Sequence, residues 1–171
     1  MNFAAYPFYK PNGVEWLGNV PKDWVPVRLG FEAELIVPMR DKPDDLSGNI
    51  PWIRIEDFNG RDIATSRSGQ GVSTETVAGM HLKVFPSGTV LCSCSCSMGA
   101  TAIARAPLVS NQTFIGILPS RRIAPEYLYY VLSTAKYYLD SIATGAIQKY
   151  LSGLILHNCD CFCRRPTSRM E

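Results

Sequence analysis

The sequence predicts a mixed α/β domain, strand-rich through its middle and closed by an amphipathic helix. Three observations carry this. Thr89-Val90-Leu91-Cys92-Ser93-Cys94-Ser95-Cys96 alternates with the period of two that a strand imposes on its faces. Leu128, Val131, Leu132, Ala135, Leu139 and Ile142 recur at helical spacing and form one apolar stripe. Between residues 86 and 119, short apolar runs are separated by turn residues such as Pro86-Ser87-Gly88, which gives short strands joined by tight connections.

Taken in order, residues 1–26 combine Tyr6-Pro7-Phe8-Tyr9, Trp16, Pro21 and Trp24. Each proline removes a backbone donor and drives the preceding residue toward extended geometry, so this stretch is an ordered arm and not a long helix. Its aromatic rings need a surface to cover, either this domain's own core or a partner, and the domain's own core is favoured. Val25 to Leu29 and Ile50 to Ile55 read as strands, with Pro51 placing the second at an edge or a strand start. Arg40-Asp41-Lys42-Pro43-Asp44-Asp45 between them is a charged loop. Asn59 to Gly71 carries three glycines and no apolar periodicity, which predicts an exposed loop. A short helix follows, capped by Ser73 and stopped by Gly79. Strands are expected at Ala100 to Arg105 and Thr113 to Leu118. Pro125 opens the closing helix, with Glu126 favourable beside the positive end of its dipole, and Gly145 ends it.

The 171 residues suffice to bury one core without staples. No apolar run approaches the roughly 20 residues that a bilayer span requires, and the first residues show no basic and apolar leader, so a cytoplasmic protein with reduced thiols is expected. The net charge of +2 hides an asymmetry. Residues 1–60 hold 6 bases and 9 acids, whereas residues 61–122 hold 6 bases (Arg61, Arg67, Lys83, Arg105, Arg121 and Arg122) and 2 acids (Asp62 and Glu75). The middle third is thus basic, which suits a polyanion as well as an ordinary solvated face.

Several chemistries lack support. The cysteines form two clusters, Cys92/Cys94/Cys96 and Cys159/Cys161/Cys163. On a strand such a set spreads over roughly 13 Å at about 3.3 Å per residue, too far for one tetrahedral ion. The first three read as small buried strand residues, with a metal or redox site as the alternative. His81 and His157 stand in no nucleophile motif, and Gly69-Gln70-Gly71 lacks the context of a phosphate-binding loop. Asp44, Asp45, Glu56 and Asp57 read as loop charges. No catalytic, cofactor or metal residue is assigned.

Recognition fits better. Guanine is read by Arg or Lys, adenine by Asn or Gln, and Ser or Thr adapt to either. Arg61, Arg67, Ser68, Gln70, Ser73 and Lys83 supply these types on or beside one loop. Ser97, Asn111, Gln112, Arg121 and Lys149 are further candidates.

The order of motifs adds a resemblance. Tyr6-Pro7-Phe8-Tyr9-Lys10-Pro11-Asn12-Gly13-Val14-Glu15-Trp16-Leu17-Gly18, followed by Val20-Pro21-Lys22-Asp23-Trp24, resembles the opening of specificity subunits of type I restriction-modification systems. Pro51-Trp52-Ile53-Arg54-Ile55-Glu56-Asp57, Pro86-Ser87-Gly88-Thr89-Val90-Leu91, Met98 to Ala104 and Ser110 to Phe114 resemble that family's target recognition domain. Pro125 to Leu132 and Thr144 to Ser152 resemble its closing helix and the segment after it.

This resemblance implies a non-catalytic module, residues 1–152, that reads one half of a split target in double-stranded DNA. It implies methyltransferase (modification) subunits as partners and, through them, the restriction subunit, with no membrane. S-adenosylmethionine, ATP and magnesium then belong to those partners and not to this chain. After Ser152 the family pattern continues with a proline-rich strand and a long spacer helix. Residues 153–171 lack that periodicity, so the spacer helix is missing and an atypical tail from truncation or frameshift is expected. Two other readings stand beside this one: a small metal- or redox-dependent protein built on the cysteine clusters, and a fragment that binds the modification subunit without reading DNA.

Overall fold

The computed structural model describes residues 6–164, apart from 15, 39–40, 96 and 146–148. Two of the four sheets among the described residues are stacked beneath a helical layer, and β8 (Val90–Ser93) is the spine. Its four residues are all buried. Together with β4 (Ala33–Ile36), β6 (Asp62–Ile63), β9 (Thr101–Ala104) and β11 (Phe114–Pro119), it forms a five-stranded sheet in the order β4-β11-β8-β9-β6. All its neighbours pair antiparallel except β6, which runs parallel to β9.

The period-two signal is realised on two faces. Val90, Cys92, Ile115 and Ile117 point toward one cluster with α3 (Pro125–Thr134), α4 (Lys136–Ile142) and α5 (Gly153–Asn158). Leu91, Ala102, Ala104 and Phe114 point toward another with Ile53, Phe85 and Leu108. Gly116 belongs to that second face, where a Cβ would lie 2.3 Å from the Phe85 ring. Beyond it lies a three-stranded sheet, β10-β5-β7, built from β5 (Ile50–Ile53), β7 (Gly71–Val72) and β10 (Val109–Ser110). Trp52, Val72 and Val109 on its outer face pack with Leu82, Val77 and Met80 beside α2 (Thr74–Gly79).

Most expected elements appear near their predicted bounds. α2 is capped as expected, with the Ser73 hydroxyl accepting from the Thr76 amide at 3.1 Å. The expected single closing helix is instead two, broken at Ala135, whose ψ is −2°. The physical cause sits in the two preceding residues. The Ser133 hydroxyl donates to the Tyr129 carbonyl and that of Thr134 to the carbonyls of Tyr130 and Val131, drawing the last turn away from regular geometry. The loop expected over 59–71 is also narrower than predicted. Ile63 and Gly71 are buried in the two-residue strands β6 and β7, too short to leave a periodic signature.

The arm folds onto its own domain. β1 (Tyr9–Pro11) and β2 (Asn19–Pro21) make an antiparallel hairpin, Trp16 stacks on Tyr138 at 5.5 Å, and Trp24 meets Tyr127 edge-on at 5.1 Å. Cys96, Arg40, residues 146–148 and residues 165–171 of the expected features lie outside the described residues.

The boundary drawn at Ser152 falls inside the packed unit. The Ser152 hydroxyl caps α5, and β12 (Asp160–Arg164) pairs antiparallel along all of β3 (Trp24–Arg28). Leu156, Cys159, Cys161 and Cys163 are buried in the same cluster as Val90 and Cys92. The second cysteine cluster therefore obeys the alternation that explains the first: i, i+2 and i+4 share one face of a strand. At Gly30 of α1 (Leu29–Glu32), a Cβ would lie 2.0 Å from the His157 ring, so glycine there lets α1 and α5 meet. Leu156 is fully buried. Leu156→Ala is expected to lower stability by about 2–5 kcal/mol, measured as a drop in the urea unfolding midpoint with unchanged slope.

Candidate nucleic-acid interface

Strand register brings several loops to one end of the two sheets. β5 and β10 run parallel, with Ser110 beside Ile53, so Arg54 and Asn111 leave the small sheet together. β7 runs antiparallel to β5, and the Trp52 amide donates to the Gln70 carbonyl at 2.9 Å, which places the loop 64–70 against the same exit. Three residues then carry the chain from Ser110 to Phe114, opposite Ser93 at the exit of β8. There the Cys94 amide donates to the Thr113 carbonyl at 2.7 Å, and the Cys94 carbonyl accepts from Leu151 at 2.9 Å.

Of the residues expected to read DNA, this end gathers Arg67, Ser68, Gln70, Asn111 and Gln112, with Ser97 and Lys149 on the adjoining segments. Arg67, Ser68, Gln112 and Ser97 are exposed. Among the described residues Arg67 forms no ion pair. The Ser68 hydroxyl lies 3.1 Å from that of Ser66. Asn111 spends its carbonyl oxygen on the Thr113 amide at 3.0 Å, which leaves its amide nitrogen as the outward donor. Lys149 is tied to the Asp140 carboxylate at 2.9 Å.

Three of the other candidates are placed elsewhere. Arg61 immediately precedes the edge strand β6 of the large sheet, bonded to Asp62 at 3.1 Å within a network in which Arg105 joins Asp62 at 2.7 Å and Glu126 at 2.8 Å. The Arg61 guanidinium is held above its ordinary range by the Asp62 bond and, secondarily, by Tyr130, while Asp62 is held below the usual carboxylate range by Arg61. Ser73 is committed to its cap at the opposite end of β7. Arg121 sits in the turn after β11, at the far end of the large sheet. Lys83 is exposed, two residues before Phe85, whose antiparallel bridge to Leu108 directs it toward the end from which Asn111 leaves.

One organising residue is not what its sequence context suggested. Asp57, read as a loop charge, is 7% exposed. One carboxylate oxygen accepts from the Arg54 amide and the other from the Arg67 amide, each at 2.7 Å, with the Ser66 hydroxyl at 3.4 Å. The 3₁₀ turn Ile55–Asp57 is thereby clasped to the loop 64–70. Only a spatial contact across 10 residues identifies this role, and no local pattern carries it.

Among the described residues, no group of three or more His, Cys, Asp or Glu is placed to hold an ion. Burial pushes the Cys92 thiol up to about 12, Cys159 up to about 11 and Cys161 up to about 12, and drives Cys94 and Cys163 upward too. Neutral thiols are poor ligands and poor nucleophiles. No helix among the described residues is long and apolar enough to cross a membrane.

The family model for the type I restriction modification DNA specificity domain matches residues 21–158. The chain belongs to this family. The specificity subunit of the type I restriction enzyme MjaIX from Methanocaldococcus jannaschii is 33% identical over 146 residues, covering 82% of this chain and 34% of that subunit. The EcoprrI specificity subunit from Escherichia coli is 31% identical over 102 residues, or 57% of this chain and 24% of that subunit. This specificity domain thus spans about a third or less of the curated relatives' length. In fold it is similar to the HsdS subunit from Thermoanaerobacter tengcongensis, with a TM-score of 0.67, 18% identity, and 91% of this chain and 36% of that one covered. The S subunit from M. genitalium gives 0.56 at 13% identity, over 84% and 35%.

The thiols generate a pH prediction. Their folded-state values lie above the ordinary thiol value of about 8.5, so the neutral form is favoured by folding. Their contribution is complete below that value and is lost as pH rises toward 11–12. The urea midpoint is expected to hold to about pH 8.5 and then fall. A Cys92→Ala/Cys161→Ala variant should show a shallower alkaline decline. An unchanged decline, or rapid labelling of these thiols in the native state at neutral pH, would contradict the assignment.

Proposed function

We propose that this chain reads one half of a bipartite duplex DNA target as the specificity component of a type I restriction-modification system. The observation that carries the reading is the convergence of Arg67, Ser68, Gln70, Asn111 and Gln112 at one end of two rigid sheets. These side chains offer donors for guanine and adenine edges and for phosphate oxygens, and they stand on loops whose backbones are pinned by buried ladders and by Asp57. Such loops can change sequence without disturbing the core. Family membership supports the same reading.

On this reading the chain is not an enzyme. Methyl transfer and cleavage take place on modification and restriction subunits, which bind S-adenosylmethionine, ATP and magnesium, and the complex works in the cytoplasm. Two recognition domains make one full target, and this chain supplies one.

The direct test combines the chain with its system's modification subunits and maps methylated sites in cells by single-molecule sequencing. The expected result is a split motif, one half of which changes or disappears when residues 66–70 are replaced by the loop of a relative with a different target. Arg67→Ala alone should weaken duplex binding by about tenfold, the lower end of what one bidentate base contact carries. A motif insensitive to replacement of 66–70 would overturn the reading.

A further inference from the structure

Arg54 lies at the centre of the converging loops, yet its local sequence marks it only as part of a strand motif. Its backbone is fixed twice over by Asp57: the Arg54 amide donates to the carboxylate at 2.7 Å, and the Arg54 carbonyl accepts from the Asp57 amide at 3.0 Å. Register sets it beside Asn111 on one side and the Ser68 end of the recognition loop on the other.

Its head group is held far less well. The Nη2 atom lies 3.0 Å from Glu56 Oε1, two residues along, and the two side chains are 35% and 52% exposed. The Nε atom is buried without a hydrogen-bond partner. An exposed ion pair of this kind contributes little, because water solvates both partners nearly as well. A guanidinium that meets two acceptors at once gains more, through two parallel charge-assisted bonds. Arg54 thus combines a fixed base with a head whose present partner is weak and whose donors are incompletely used.

We propose that Arg54 is a DNA-contacting, specificity-determining residue whose guanidinium exchanges Glu56 for acceptor oxygens and nitrogens of the duplex. Paired acceptors of this kind occur on the guanine edge in the major groove and on backbone phosphates. Glu56 serves as a placeholder that disfavours binding where no such acceptor is offered. This rests on the reading that this end of the molecule faces DNA.

The test measures binding of the full chain to a randomised duplex library, sequenced before and after selection, together with anisotropy titrations at several salt concentrations. Arg54→Ala should weaken binding about tenfold. Glu56→Gln should strengthen it in the presence of Arg54 and not in the R54A background. Arg54→Lys separates the two acceptor sources. Loss of a guanine preference with retained affinity marks a base contact, and an unchanged preference with a salt slope lowered by about one in R54A marks a phosphate.

If R54A binds like the wild type while R67A is weakened, the proposal falls and the reading of the interface stands. If neither substitution changes binding, both fall. Circular dichroism establishes folding of each variant. Should R54A fail to fold, an E56Q variant no tighter than wild type together with an R54K variant unchanged in affinity, preference and salt slope overturns the proposal.

Discussion

The structure depends on β8 being buried on both faces. Val90 and Cys92 face the helices while Leu91 faces the small sheet, so one short strand joins the two main apolar clusters. An interior packed near crystal density has little room to yield, and a shift of β8 by one residue would send each set of side chains to the wrong side. At its exit, the Cys94 peptide bonds to Thr113 on one side and to Leu151 on the other. The same constraint that builds the core therefore fixes where three surface segments emerge. The loops at this end inherit the rigidity of the ladder.

A second constraint acts on the loop 64–70 itself. Burying a carboxylate costs several kcal/mol in lost hydration, and bonds to a charged group return about 1.5–3 kcal/mol each. Asp57 makes two short bonds to backbone amides and one long bond to a hydroxyl, so costs and gains are of similar size. What this arrangement supplies is placement, since the amides of Arg54 and Arg67 are fixed by the same group. The ion network of Arg61, Asp62, Arg105 and Glu126 is a contrast. All four lie on the surface, where pairs contribute little, and their role is to tie the edge strand to α3.

Much of this was legible in the sequence because it follows from local periodicity. The alternation at Val90 to Cys94, the stripe from Leu128 to Leu139 and the Ser73 cap each leave a signature within a few residues. Other features are long-range. β6 and β7 are two residues long and find their partners only in space. The break at Ala135 comes from hydroxyls that bond backward within a continuous apolar stripe. The tail from Gly153 lacks the expected helical period, yet Cys159, Cys161 and Cys163 complete the core by pairing with β3. Residue type alone gathered eleven candidate DNA contacts, and register separates those that share an end, such as Arg67 and Asn111, from those that do not, such as Arg121. The same register makes Arg54 central, although its chemistry resembles that of any surface arginine.

The central claim is that one end of the sheets faces DNA. Amide hydrogen exchange of the full chain, with and without a mixed-sequence duplex, tests it whatever the target sequence is. DNA is expected to slow exchange at 54–57, 66–70, 97–100 and 111–113, with no change in the turn at 120–123 or in α2 at the opposite ends. Protection centred on that turn or on α2, with the converging loops unaffected, would contradict it.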